Sequence, residues 1–285
     1  MSRALCEAFR ARSRSVWRLI RRGQSAGIRA AEETLTNLTL LELSLVRDPG
    51  LVVRGFSKAE ERVRGADWEM WLGGRAGFWL GLRLQAKAID LRSSEFRHLH
   101  YRAPRAALFQ SDALIQSALG SHPPRVPLYV LYTYAPRGRL TTWPCGSYPR
   151  DTSQFGCAIV SAFQVQVLRL KGFRRSLRDL SSHMFPWHCL VCCRAFSNGS
   201  MAERARRYLA GTVIRGDATL GVGERAPQQQ EREGVLGADE FGRLFQLYQG
   251  APVTDTPPEY VTTIAAGREA ELPTDLSAVL VMREN

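Results

Sequence analysis

Lysine is nearly missing from this chain. Of its 39 basic residues only Lys58, Lys87 and Lys171 are lysines, and the rest are arginines. A composition bias accounts for the arginine excess but leaves unexplained why position 87 stays lysine. Long apolar runs are missing as well. None approaches the ~20 residues that a membrane span needs. The arginine-studded N-terminus, Arg21-Arg22 included, is not followed by the apolar segment of a secretion signal. These absences place the chain in the cytoplasm, where its six cysteines are expected as free thiols and not as a disulfide framework. Paired metal-ligand spacings are scarce too. His98 and His100 form a lone HxH that reads as a polar strand edge. His188, Cys189, Cys192 and Cys193 lack the second pair of a zinc site and read as buried thiols.

What is present suits a folded protein with a polyanionic partner. At 285 residues and 45% hydrophobic composition, the chain can bury a substantial core. The formal net charge is +12 and the isoelectric point about 10.0, which favours nucleic acid as a partner. The charge is unevenly spread. Residues 1–200 hold 30 basic against 14 acidic side chains, whereas residues 201–285 hold 9 against 13.

The stretch 65–88, GADWEMWLGGRAGFWLGLRLQAKA, carries two alternating apolar arms around Gly73, Gly74 and Gly77. The arms are Trp68, Met70, Leu72 and Leu80, Leu82, Leu84, the sequence form of a β-hairpin. Symmetric pairing about Ala76 sets Trp68 against Leu84, Met70 against Leu82 and Leu72 against Leu80. The other face then holds Asp67 against Gln85, Glu69 against Arg83, Trp71 against Gly81, and Lys87 beside Gly65. A slip of one residue would send Asp67 and Lys87 to opposite faces.

Elsewhere, periodicity predicts a basic amphipathic helix at the N-terminus, with Leu5, Phe9, Val16 and Ile20 inward and an arginine side suited to phosphates. A second helix is expected over 32–45, with a stripe of Leu35, Leu38, Leu41 and Leu45 interrupted by Glu42. Glu32 and Glu33 stand where a helix N-terminus favours carboxylates. Asp48-Pro49-Gly50 reads as a turn into a strand over 51–56. There follow a helix over 109–119, a buried strand over 127–134, a loop over 137–154, a helix over 157–170 and an apolar element over 184–196. Residues 197–285 read as a C-terminal subdomain or partly ordered tail without chemistry, with a helix over 238–248 and a strand over 260–264. The division expected is a basic helix over 1–30, an α/β core over 31–196 and a C-terminal extension over 197–285.

Asp67 at the head of one strand, Gln85-Ala86-Lys87 on the next and a glutamate on an upstream helix resemble the PD-(D/E)XK nuclease superfamily in its QxK variant, over residues 15–195. The GADWE and LQAK words also resemble a bacterial family of unknown function linked loosely to phage defence. The resemblance implies a restriction-endonuclease-like α/β core, a central mixed β-sheet flanked by helices, here with a C-terminal extension. It further implies metal-dependent cleavage of DNA in phage defence, and it leaves a homo-oligomer open. Mg²⁺ or Mn²⁺ would take oxygen ligands from Asp67, the Gln85 amide, the Ala86 main-chain carbonyl and Glu33, with Glu32 and Glu42 as alternatives to Glu33. Lys87 would position the attacking water and stabilise developing negative charge. Gln85 stands where the commoner pattern has an acid, which removes one negative charge and implies weaker metal binding. Two other readings fit the same composition: a non-catalytic nucleic-acid-binding module on such a fold, and an interaction protein whose arginine excess is only compositional.

Overall fold

The two arms form the hairpin in the register that symmetry about Ala76 requires. In the computed structural model, which describes residues 3–55, 68–74, 77–104, 106–136, 140, 142–193, 199–217 and 253–284, strand β2 (Trp68–Gly73) pairs antiparallel with β3 (Trp79–Ala88). Trp68 faces Leu84, Glu69 faces Arg83, Met70 faces Leu82 and Trp71 faces Gly81. Asp67 lies outside the described residues. Gly77 takes a positive φ of 78° in the turn, which a side chain would resist. Gly81 is needed for another reason. A Cβ there would sit 2.7 Å from the Trp71 ring, so the indole can lie across the strand only where its neighbour has no side chain.

Around the hairpin runs an 8-stranded mixed sheet, so the fold is α/β with helices flanking the sheet. Its other strands are β1 (Leu51–Gly55), β4 (Val126–Tyr132), β5 (Cys157–Ser161), β6 (Phe185–Pro186), β7 (Val253–Thr254) and β8 (Ala278–Arg283). The order is β1-β8-β2-β3-β4-β5-β6, with β7 paired to β3. β4 runs parallel to β3, and β8 runs parallel to β2. The C-terminal segment is therefore no tail: β8 fills the position between β1 and β2. Its alternation explains why it belongs there. Leu280 and Met282 enter the main core, while Val279 and Val281 join a second cluster with Trp71 on the opposite face.

That second cluster is closed by helix α8 (Glu259–Ala265). The β-branched run there predicts a strand over 260–264, yet Val261, Ile264 and Ala265 recur at helical spacing and bury one face. The helix expected over 238–248 lies outside the described residues.

The remaining helices are α1 (Arg3–Ala26), α2 (Glu32–Ser44), α3 (Gln110–Leu119), α4 (Ala162–Leu170), α5 (Leu177–Leu180), α6 (Cys189–Cys192) and α7 (Met201–Asp217). Helix α1 buries the four expected residues and more. Phe9 meets Trp187 at 4.4 Å between ring centroids, and its carbonyl accepts from Trp187 Nε1 at 2.8 Å. The expected separate unit over 1–30 is thus part of the core. Helix α2 is rotated from the expected stripe: Leu41 and Leu45 are exposed, while Thr36 and Thr39 turn inward. The reason is polar. Thr39 Oγ1 accepts from the buried Arg12 Nε at 3.0 Å, and Thr36 Oγ1 accepts from the Tyr132 hydroxyl at 3.1 Å.

The helix expected over 157–170 divides into β5 and α4, because Cys157 to Ser161 pair with β4 and the Ser161 hydroxyl accepts from Phe163 N as an N-cap. Cys6 and Cys192 are joined as a disulfide, with Cα atoms 5.5 Å apart, where six free thiols were expected. No helix among the described residues is long and apolar enough to cross a membrane.

Candidate functional site

The last described β2–β3 pair is Trp68 with Leu84, and among the described residues Gln85 to Ala88 pair with β4. Alternation puts Gln85 and Lys87 on one face, and both are buried. Lys87 Nζ lies 3.3 Å from Glu32 Oε1, and Ala88 N donates to Glu32 Oε2 at 3.3 Å. Glu32 opens helix α2, where the helix dipole favours its charge. One carboxylate thus ties the helix start to the end of the strand.

The sequence left three glutamates open and favoured Glu33; of the three, Glu32 is the one in contact with Lys87. Glu33 is exposed, about 100° further round the helix. Glu42 lies ten residues on, about 15 Å along the axis, and pairs with Arg12 Nη1 at 2.6 Å. The signal that could have found Glu32 is its phase with Thr36 and Thr39, the polar residues of the inward face.

Gln85 is 2% exposed, and its Oε1 has no hydrogen-bond partner among the described residues. A buried acceptor left empty costs about 1–3 kcal/mol, so its position asks for a ligand. Divalent metals of the magnesium type take hard oxygen donors. Gln85 Oε1, the Ala86 carbonyl and the Glu32 carboxylate are such donors and belong to adjoining stretches of chain, so the residues present fit the cation.

Beside Ala88 opens a cleft of ≈ 370 Å³, walled by the end of α1, Arg29, Ala30 and the segment 88–92 with Arg97. Its charge is strongly positive, with Arg29, Arg92 and Arg97 against Asp90. Arg97 Nε lies 2.8 Å and Arg29 Nη1 4.0 Å from Asp90 Oδ2, and Arg92 N donates to Asp90 Oδ1 at 2.9 Å. Burial alone would raise the Asp90 pKa. The hydrogen bond from Arg92 and the two guanidinium charges outweigh it and hold the carboxyl below its ordinary value. Arg18, Arg21 and Arg22 of α1 are exposed on the turns that lead to this opening. No role for Asp90, Arg29 or Arg97 was read from the sequence; three arginines around one aspartate was the available signal.

At the other end of β3 the expected charge pair is present but closed off. Glu69 Oε1 contacts Arg83 Nε at 3.3 Å and Arg125 Nε at 3.2 Å, as ion pairs without aligned hydrogen bonds. Glu69 Oε2 accepts from Trp71 Nε1 at 2.8 Å and from the Tyr260 hydroxyl at 2.5 Å. Tyr260 belongs to α8, so the C-terminal segment covers this part of the hairpin face. His98 and His100 sit in a turn and not on a strand edge; His100 Nε2 bonds the Arg174 carbonyl at 2.7 Å.

The model of DUF6615, a family of unknown function, matches residues 5–285. No curated protein and no solved structure matches the chain.

Proposed function

We propose that this chain, which belongs to the DUF6615 family, is a metal-dependent nuclease that hydrolyses DNA phosphodiester bonds, and that it serves in defence against phage DNA. The observation that carries the nuclease reading is the buried Gln85 Oε1, without a hydrogen-bond partner among the described residues, one alternation from the Lys87–Glu32 pair on a strand whose last residue, Ala88, lines an arginine-walled cleft. The element order α2, β1, β2, β3, α3, β4 accords with the helix-then-sheet arrangement that the PD-(D/E)XK resemblance implies.

Gln85 Oε1, the Ala86 carbonyl and Glu32 would hold Mg²⁺ or Mn²⁺, joined by Asp67, whose place in the sequence puts it next to Trp68 of β2. When bound, the cation would neutralise charge on the scissile phosphate and lower the pKa of an attacking water. Lys87 supplies a compact cation on a flexible stem, fixed by Glu32, that can orient a water and oppose negative charge developing on the phosphate. Glu32 holds that ammonium in place. Arg29, Arg92 and Arg97 would carry the flanking phosphates, with Arg18, Arg21 and Arg22 extending the track.

The test is cleavage of plasmid and linear double-stranded DNA by the full chain with Mg²⁺ or Mn²⁺. Cleavage should disappear in Lys87→Ala and fall at least about 100-fold in Glu32→Gln, whereas Glu33→Gln should stay near wild type. Full activity of Lys87→Ala would sink the catalytic assignment. Salt-sensitive DNA binding with no cleavage under any metal would establish a binding module instead, and no DNA retention at moderate salt would remove nucleic acid as the partner.

A further inference from the structure

Away from this site, the loop that precedes η1 (Thr152–Gly156) meets helix α6 around a group of sulfurs. Cys145, from the segment Pro144-Cys145-Gly146, brings its Sγ to 3.6 Å from His188 Nε2. Cys189 Sγ lies 3.9 Å from the same nitrogen. The three ligand atoms all fall within 4.8 Å of one another, and all three residues are buried. The Cys193 thiol interacts with the thiols of both Cys145 and Cys189. Cys189 opens the short helix and Cys193 stands at its C-cap in extended conformation, while Cys192 is bonded to Cys6.

These distances have the size of a tetrahedron's edges. Zinc bonds of about 2.3 Å to sulfur and about 2.0–2.1 Å to nitrogen, at the tetrahedral angle, imply S···N edges of about 3.6 Å and S···S edges of about 3.8 Å. His188 is fully buried; among the described residues its Nε2 meets the sulfurs of Cys145 and Cys189, and its Nδ1 makes no hydrogen bond. A buried imidazole with such weak partners is poorly satisfied as a neutral core residue. Donors also point at the sulfurs: Ser147 N at Cys145 and Ser147 Oγ at Cys193 over 3.5 Å, and the Tyr208 ring lies beside the group with its hydroxyl donating to the Pro144 carbonyl at 3.4 Å. Donors around sulfur suit thiolates held by a metal.

We propose that Cys145, His188, Cys189 and Cys193 form a structural zinc site. The set is Cys₃His, and its burial leaves no open coordination position, which marks a structural centre and not a catalytic one. Zinc there fastens the loop around Cys145 to α6, and Tyr208 links the same group to α7. The sequence signal of His188, Cys189 and Cys193 lacked only a distant partner, and Cys145 supplies it from 43 residues away.

The full chain, expressed with zinc in the medium and purified without chelator, should carry one zinc per chain by mass spectrometric metal analysis. Reconstituted with Co²⁺, it should show thiolate-to-cobalt charge transfer and tetrahedral d–d bands. Cys145→Ser and Cys189→Ser should lose the zinc. Cys157→Ser, a buried thiol outside the group, should keep it, as should Lys87→Ala, so this site and the proposed nuclease site can fail separately. Wild-type protein without zinc and without the cobalt bands overturns the proposal whether or not the variants fold, and so does full zinc retention by Cys145→Ser.

Discussion

Glu69 is the residue on which the closure of the hairpin face depends, and its replacement gives a stringent test of how the C-terminal segment is held. Its carboxylate is fully buried and touches two guanidiniums, an indole N–H and a phenol. In Glu69→Ala, Arg83 keeps Asp275 Oδ2 at 2.6 Å. Arg125 keeps only the Pro123 carbonyl at 2.8 Å and the Tyr260 hydroxyl at 3.0 Å, with no remaining carboxylate partner among the described residues. Removing one member of a buried ion pair costs about 3–5 kcal/mol, because the other charge stays buried. Glu69→Gln keeps acceptors for Trp71 and Tyr260 and loses only the charge, which costs about 1.5–3 kcal/mol. Against a total stability of about 5–15 kcal/mol these are large changes. Urea unfolding followed by tryptophan fluorescence reads both. Limited proteolysis should cut first within residues 253–284 in the alanine variant, since Tyr260 loses its anchor. A loss under about 1 kcal/mol for Glu69→Ala, or a glutamine variant as unstable as the alanine one, would refute this account of the network.

Two further outcomes follow from packing and charge. Gly81→Val places side-chain atoms within the Trp71 ring contact, where a Cβ alone would stand 2.7 Å away. The expected loss is about 1–3 kcal/mol from overpacking, and a cycle with Trp71→Leu should show favourable coupling in urea midpoints; additive losses would refute the contact. Asp90 has a folded-state pKa below its ordinary value, so its stabilising contribution is present above the unfolded pKa of about 3.9 and is lost as pH falls through the folded one. Asp90→Asn should therefore lower stability at pH 7 and narrow the difference between pH 7 and pH 3; an unchanged difference would show that the arginines around Asp90 do not hold its charge.

The parts of the fold that were legible are those fixed by local pattern. The hairpin register could be read because period-2 alternation and a glycine-rich centre admit one pairing that matches apolar with apolar. Helix α3 and strand β4 followed from equally local runs. The strand β8 could not be placed in this way. Its alternation says that both faces are buried, but nothing local says that the last strand of the chain enters the sheet between β1 and β2. Helix α2 failed for a different reason: a leucine count favours Leu41 and Leu45, while the true inward face is set by Arg12 and Tyr132, partners distant in sequence.

The candidate site shows the same limit at a smaller scale. Gln85, Ala86 and Lys87 share a strand, so their alternation was fixed as soon as the hairpin was read. Glu32 and Glu33 are chemically alike and adjacent, and only the rotation of α2 distinguishes them; the polar contacts that turn Thr36 and Thr39 inward also bring Glu32 to Lys87. Turned inward in this way, the Glu32 carboxylate also accepts from Ala88 N at the end of β3. The β8 insertion and α8 cover the face at Glu69, whereas β3 runs on through Gln85 and Lys87 to Ala88, which lines the arginine-walled cleft. A C-terminal segment read as having no chemistry thus covers the part of the hairpin face that lies away from the proposed site.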